Sequence, residues 1–295
     1  MTDNAEVLIV GGSARLACRI RAIVPTARTV VRRNAGPKDI FVADYAMIPT
    51  AAFAGIKTVV NCVGTPTGDE ATLWHVNVDT PFAAATRART AGCRHFIQIG
   101  SLSVYGCAQR IDSVTSVAPQ SAYGRSKAAA DAALFALAGS GFAVTILRVP
   151  ALYGVGATGK LGMLARAMRR FGGFIVPRQP VARSLLHLDN AAAVIARLIA
   201  EPEPRGGIVL AADHEPFNFA SFAAAVAADS GQRMMLVRAP WGCATILRAL
   251  APNVHASLFA DSFIVPDAAI TRDMALPVAL YDGIAAMLAA EPRNL

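Results

Sequence analysis

The chain has 295 residues, of which 54% are hydrophobic and 16% charged, and carries a formal charge of +8. Such a balance excludes a disordered segment, and the length exceeds most single cores, so one large domain with a smaller lobe is expected. The arginines are scattered, with short pairs at Arg32-Arg33 and Arg169-Arg170 but no basic tract for nucleic acid, which leaves general solubility or a site for phosphate-bearing small molecules.

Short β-branched runs alternate with longer helical ones. Residues 6–12 (EVLIVGG) read as a buried strand running into a glycine turn, and 14–24 as the helix that follows. Strands are predicted at 28–33, 39–44 and 57–64, then a helix from about Ala71 to Ala91. A fifth strand is predicted at 94–101, then the helix opened by SAYGRSKAAAD (121–131), then a sixth strand at 142–148. Strands alternating with helices, and apolar throughout, indicate β-α-β units: an α/β fold with a doubly wound parallel sheet. Beyond Arg148 the texture changes. Residues 149–162 are glycine-rich without a clear period, and a helix (MLARAMRRFGG) follows. Residues 183–204 read as strand then helix, with Asn190 as its start, and 206–213 as another sheet strand; the remainder reads as helix and loop. The expected division is a Rossmann-type domain over 1–155 plus about 183–213, with a smaller interleaved substrate lobe over 156–182 and 214–295.

Five cysteines (Cys18, Cys62, Cys93, Cys107, Cys243) form no C-x-x-C pair, and the five histidines lack H-x-x-x-H spacing. Neither a disulfide framework nor a metal site is expected. The first residues, acidic before apolar, read as a strand and not a signal peptide, and Gly139 and Gly141 split the apolar run at 132–147, so no membrane span is expected. A reduced cytoplasmic protein is the default.

Tyr123 and Lys127 stand one helical turn apart, so the ammonium can sit beneath the phenol and favour phenolate. The plain alternative is an alanine-rich helix with polar decoration, in which Lys127 pairs with Asp131. Residues 11–17 (GGSARLA) occupy the strand–helix turn where a Rossmann fold binds pyrophosphate, through Gly11, Ser13, Ala14, Arg15 and Leu16. Ala14 and Ala17 stand where second and third glycines are usual; a methyl at 14 crowds the phosphate, and a purely structural turn explains the stretch about as well. Arg32 and Arg33 end the second strand where an NAD site places an acid. Arginine suits a 2′-phosphate, which favours NADP(H) over NAD(H), unless the pair is simply solvated.

Five ordered signatures then resemble the extended short-chain dehydrogenase/reductases (SDRs), particularly the nucleotide-sugar epimerase/dehydratase branch. These are HVNVDT (75–80), GSLSVYG (100–106), YGRSK (123–127), LRVPALYGVG (147–156) and RSLLHLDNAAAVI (183–195). The resemblance implies Ser101 as the hydroxyl that polarises the substrate carbonyl, Tyr123 as general acid/base and Lys127 as the residue that holds the nicotinamide ribose and depresses the tyrosine. It also implies Cys62, Val63 and Gly64 lining the cofactor, Asp44 at adenine, Asn77 supporting the active-site helix and Pro150 beside the carboxamide. Ser103, Ala151, Arg183 and Arg272 are its candidates for substrate contacts, the last two at phosphate. The implied activity is hydride transfer at a sugar carbon, as an epimerase or a 4-keto-sugar reductase. Reduction of a non-sugar carbonyl, or nucleotide binding without catalysis, are the alternatives. The family also implies a homodimer through the helices at about 71–91 and 121–139.

Overall fold

The computed structural model of the chain describes residues 6–33, 36–37, 39–157, 159–250 and 262–291. In chain order the first elements are β1 (Val7–Val10), α1 (Arg15–Ile23), β2 (Arg28–Val31), β3 (Asp39–Phe41), β4 (Thr58–Asn61), α2 (Glu70–Trp74) and α3 (Thr80–Thr90). Then come β5 (His95–Ile99), β6 (Arg110–Ile111), α4 (Ala122–Phe135), β7 (Ala143–Arg148), β8 (Ala151–Tyr153), α5 (Gly159–Phe171) and β9 (Gly173–Val176). The last are β10 (Leu185–His187), α6 (Leu188–Ala200), β11 (Gly207–Leu210), α7 (Phe219–Ser230), β12 (Met235–Arg238), α8 (Cys243–Leu250), β13 (Phe263–Ile264) and α9 (Leu280–Ala289).

The elements gather into two compact units. One takes Met1–Gly106, Ser116–Val149 and Ala191–Ala211; the other takes Cys107–Thr115, Pro150–Asn190 and Ala212–Leu295. The first unit is built on a seven-stranded sheet in the order β11-β7-β5-β4-β1-β2-β3, every pair parallel. β1 and β4 are buried along their whole lengths, as strands covered on both faces must be. β1 lies between β2 and β4, so the winding reverses there, the point at which open α/β sheets bind ligands beyond the carboxyl ends of their strands. Ala84, Ala85 and Ala88 bring α3 close against Leu8, Val10, Val59 and Phe96.

The helix expected at 71–91 is interrupted. His75–Asp79 forms a π turn between α2 and α3, with Asn77 fully buried in it. An added residue in a helical turn costs hydrogen-bond geometry and persists where a side chain is needed inside.

The second unit holds three two-stranded parallel pairs, β8 with β10, β9 with β12 and β6 with β13. β8 lies within the stretch that showed no period, and β9 and β12 were not predicted. The division differs from the expected one at 107–115, where β6 pairs with β13, at 150–155 and 183–190, where β8 pairs with β10, and at 212–213. Asn190 does not open a helix either: α6 begins at Leu188, and Asn190 Nδ2 donates to Asp213 Oδ1 at 2.7 Å and to Val278 O at 2.8 Å. Asp213 Oδ2 accepts from Tyr153 Oη at 2.8 Å, so one buried carboxylate ties β8, α6 and the α9 approach together. Among the described residues no helix is long and apolar enough to cross a membrane, and no group of side chains is placed to hold a metal ion.

His95 illustrates the cost of polar groups inside the sheet. Its Nε2 lies 2.7 Å from Thr145 Oγ1, which donates to Arg205 O, and burial pulls the imidazole down to about 4. A depressed histidine contributes stability above pH 6.5 that is lost as pH falls towards 4, because the unfolded chain takes up the proton first. His95→Gln should therefore flatten the acid side of the stability profile, sparing roughly 2–3 kcal/mol of the loss between neutral pH and pH 4. Urea unfolding of both proteins across that range measures it; parallel profiles would refute the assignment.

Candidate active site

The turn after β1 is shaped by two contacts. Gly11 has φ 85°, and its amide and that of Gly12 both donate to Val30 O at 3.0 and 2.9 Å. A Cβ at Gly12 would lie 2.8 Å from Thr29 Cβ, so both glycines are demanded by the backbone path. Ala14 is the residue before α1, at φ −67° and ψ 144°, with no side-chain cap and no acid in the first turn. The opening amides of a nine-residue helix are thus left to other acceptors, a suitable seat for an anion beside an extended glycine turn. These residues fit the pyrophosphate of a dinucleotide. At the next strand end, burial pushes the Cys62 thiol up to about 12, with Cys18 adding to the rise, so it stays a thiol at neutral pH.

The α4 helix is placed by its own first turn. Ser121 Oγ accepts from Gly124 N at 3.0 Å and closes the helix start. A Cβ at Gly124 would stand 2.6 Å from Ser103 O, so only glycine lets α4 approach the 3₁₀ turn Leu102–Tyr105. Ser101 precedes that turn; its Oγ accepts from Ser103 N at 3.2 Å, and its hydroxyl lowers the Tyr123 phenol against the larger effect of burial. One turn along, Lys127 Nζ donates to Ile99 O at 2.6 Å. Asn77 joins the same helix from the π turn. Its Nδ2 donates to Ser126 Oγ at 3.0 Å and to Thr65 O at 2.9 Å, and its Oδ1 accepts from Thr65 N at 2.9 Å. The structure therefore brings Ser101, Tyr123, Lys127 and Asn77 into one continuous cluster.

The electrostatics differ from the expectation that Lys127 depresses the tyrosine. Burial pushes the Tyr123 phenol above its usual value, and the Asp131 carboxylate adds to the rise against the Ser101 hydrogen bond. Burial also pulls Lys127 down to about 8, opposed by Asp131. Burial thus favours the uncharged form of both groups, the phenol and the amine. Asp131 itself is raised by burial, opposed by Arg148 and Lys127. Arg148 Nε donates to Asp131 Oδ2 at 3.0 Å, Nη2 lies 2.9 Å from the same oxygen, and Nη1 donates to Tyr105 Oη at 2.8 Å. This pair, with both side chains 4% exposed, was not anticipated; it joins residues 17 and 43 positions apart, beyond the reach of local spacing.

The model of the "NAD dependent epimerase/dehydratase family" matches residues 35–211, well over half of the chain. The chain belongs to that family. It is a family of enzymes, within the extended SDRs. Similar solved structures include "MoeE5 in complex with UDP-glucose and NAD", with TM-score 0.75 and 18% identity over 96% of this chain and 97% of that one. The Bordetella bronchiseptica enzyme WbmG in complex with NAD and UDP has TM-score 0.73 and 18% identity over 96% and 94%. The Thermus thermophilus UDP-glucose 4-epimerase complex with NAD has TM-score 0.71 and 16% identity over 96% and 98%. No curated protein matches by sequence.

Other residues anticipated for this epimerase/dehydratase site take local partners. Asp44 Oδ1 accepts from Ala46 N at 2.9 Å and caps a 3₁₀ turn, and its Oδ2 lies 3.4 Å from His75 Nε2. Arg32 and Arg33 are exposed; the Arg32 guanidinium lies over the Tyr45 ring at 5.3 Å, and Arg33 O accepts from Ser13 Oγ at 3.3 Å. Asp39, the nearest following acid, is engaged by Thr29 Oγ1, by Gly36 N at 2.8 Å and by Arg21 at 3.7 Å. Pro150, Ala151, Arg183 and Arg272 fall in the second unit. There Ala151 opens β8, Arg183 bridges to Phe217 and Ser262, and Arg272 pairs with Asp267 at 3.2 Å.

The Gly124 contact is directly testable. Gly124→Ala forces a methyl against a backbone oxygen that cannot swing away, so it should destabilise the protein by about 1–3 kcal/mol. Alanine is the better helix former, so a gain in chemical-denaturation stability would show that α4 does not press on the Ser103 carbonyl.

Proposed function

We propose that the chain is an NAD(P)-dependent oxidoreductase or epimerase that acts on a nucleotide sugar through Ser101, Tyr123 and Lys127. The observation that carries this reading is the helix α4, which carries Tyr123 and the buried Lys127 one turn apart with Lys127 Nζ held on the Ile99 carbonyl, in a unit whose first turn suits a pyrophosphate. The UDP-sugars and NAD named with the similar structures support the substrate and cofactor classes.

Gly11, Ser13, Ala14, Arg15 and Leu16 would hold the pyrophosphate, Cys62, Val63 and Gly64 the next strand end, Asp44 the adenine side, and Lys127 and Pro150 the nicotinamide end. When bound, the pyridine nucleotide supplies reversible hydride exchange with a sugar carbon. Tyr123 moves the matching proton at the sugar oxygen, a contribution typically worth roughly 10²–10⁴-fold. Ser101 donates to the same oxygen as charge develops there, from a position already fixed by the turn it caps. Burial holds Tyr123 as the neutral phenol, the form that has a proton to give to the sugar oxygen. Ser103, Ala151, Arg183 and Arg272 are assigned to the substrate.

A reductase using NADP(H) is the second reading. It is favoured by the exposed Arg32 and Arg33 at the β2 end, where Asp39, the nearest following acid, is already engaged by Thr29, Gly36 and Arg21.

Tyr123→Phe should lower turnover of UDP-sugars at least ~10²-fold while leaving dinucleotide affinity within about twofold. Near-normal turnover would end the assignment. Arg32→Ala with Arg33→Ala should weaken NADPH about tenfold or more and leave NADH unchanged. Equal losses for both nucleotides, measured by calorimetry, would remove the case for the 2′-phosphate.

A further inference from the structure

The Lys127 ammonium is almost wholly removed from water, and it donates to a neutral acceptor, the Ile99 carbonyl of β5. The charged and titratable groups around it come from three elements. α4 supplies Tyr123 and Asp131, β7 supplies Arg148, and the 3₁₀ turn supplies Tyr105. His75 and Asp79 of the π turn are exposed and pair with one another at 3.9 Å. Asp131 is one helical turn beyond Lys127 and has an asymmetric carboxylate. Oδ2 accepts from Arg148 Nε and lies 2.9 Å from Nη2, whereas Oδ1 is buried and accepts no hydrogen bond among the described residues. A buried oxygen without a donor is normally expensive. It is tolerated where its charge is needed by a cation that it does not touch.

We propose that Asp131, braced by Arg148 and Tyr105, is a positioning residue that keeps the Lys127 ammonium charged and seated on the Ile99 carbonyl, one helical turn from Tyr123. The role of Asp131 is electrostatic and acts through Lys127; it meets neither substrate nor cofactor. Arg148 serves Asp131, since without the guanidinium a carboxylate in this setting would itself take up a proton. The proposal rests on the reading of Tyr123 and Lys127 as the proton-transfer pair, but its first test requires neither cofactor nor substrate.

The chain has four lysines, Lys38, Lys57, Lys127 and Lys160, so ¹³C-lysine labelling gives a short spectrum in which Lys127→Met assigns the signal. In Asp131→Asn the Lys127 titration midpoint should fall by about one pH unit, a tenfold loss of proton affinity, and Asp131→Glu should restore most of it. Asp131→Asn leaves Arg148 buried and uncompensated. If it does not fold, Asp131→Asn with Arg148→Met removes both charges, and the same fall is expected. An unmoved midpoint in either folded variant overturns the proposal. NADPH and NADH titrations between pH 6 and 9 give the functional readout: affinity in Asp131→Asn should decline at a pH about one unit lower than in the unaltered protein. Failure of the unaltered protein to bind either nucleotide would sink the functional reading above, and the lysine titration would still decide the role of Asp131.

Discussion

A lysine ammonium without water governs the first unit. Removing such a charge from solvent costs several kcal/mol unless oriented oxygens and opposite charge replace the hydration. The Ile99 carbonyl supplies one oxygen, and it stands firm because β5 lies inside the sheet between β4 and β7. Asp131 supplies the opposite charge and is a second buried ion in its turn. Arg148 compensates it from the end of β7, and Tyr105 accepts a further guanidinium hydrogen bond. One desolvated cation thus fixes what must stand on α4, at the ends of β5 and β7, and on the turn between β5 and α4.

The same helix carries a second set of constraints on its neighbouring face. Ser126 donates to Tyr123 O at 2.9 Å and accepts from Asn77, which holds the loop after β4 through Thr65. Gly124 keeps clear of Ser103, and Ser121 closes the helix end. Ser121, Tyr123, Gly124, Ser126, Lys127 and Asp131 therefore each have a partner or a clearance that another side chain would lose. An ordinary amphipathic helix answers to one apolar face. α4 answers to the sheet, the π turn and the 3₁₀ turn together, and so its buried residues are as much polar as apolar.

The sheet was legible because buried parallel strands leave continuous β-branched runs, and the Tyr123–Lys127 relation because it is local to one helix. The partners of Asp131 were not legible. Its tie to Arg148 spans 17 residues and that of Arg148 to Tyr105 spans 43, so neither leaves a periodic trace. The π turn was missed for a similar reason. Residues 75–79 (HVNVD) are weak helix formers, but the interruption accompanies hydrogen bonds from Asn77 to Thr65 and Ser126, made in three dimensions. Asn190 misled in the opposite direction. Asparagine favours helix starts, but a buried carboxylate at Asp213 was a stronger partner than the backbone amides of α6. β12 escaped because three of its four residues are exposed, which erases the alternation that marks a strand.

The glycine fingerprint after β1 departs from its usual form in an informative way. Two separate demands are made of such a turn: a backbone that only glycine follows, and clearance over a phosphate. Gly11 and Gly12 meet the first, one through its left-handed φ and the other through contact with Thr29. Ala14 sits at an extended φ that any L-residue adopts, so its methyl leaves the path of the chain unstrained and touches only the second demand. The opening of α1 still offers amides without a side-chain cap or a competing acid. On the proposed reading the backbone cradle is retained, and the closest approach to the pyrophosphate is reduced by the width of a methyl group. Contacts elsewhere along the dinucleotide must then contribute more. Arg32 and Arg33, exposed at the end of β2, are charged groups suited to that part.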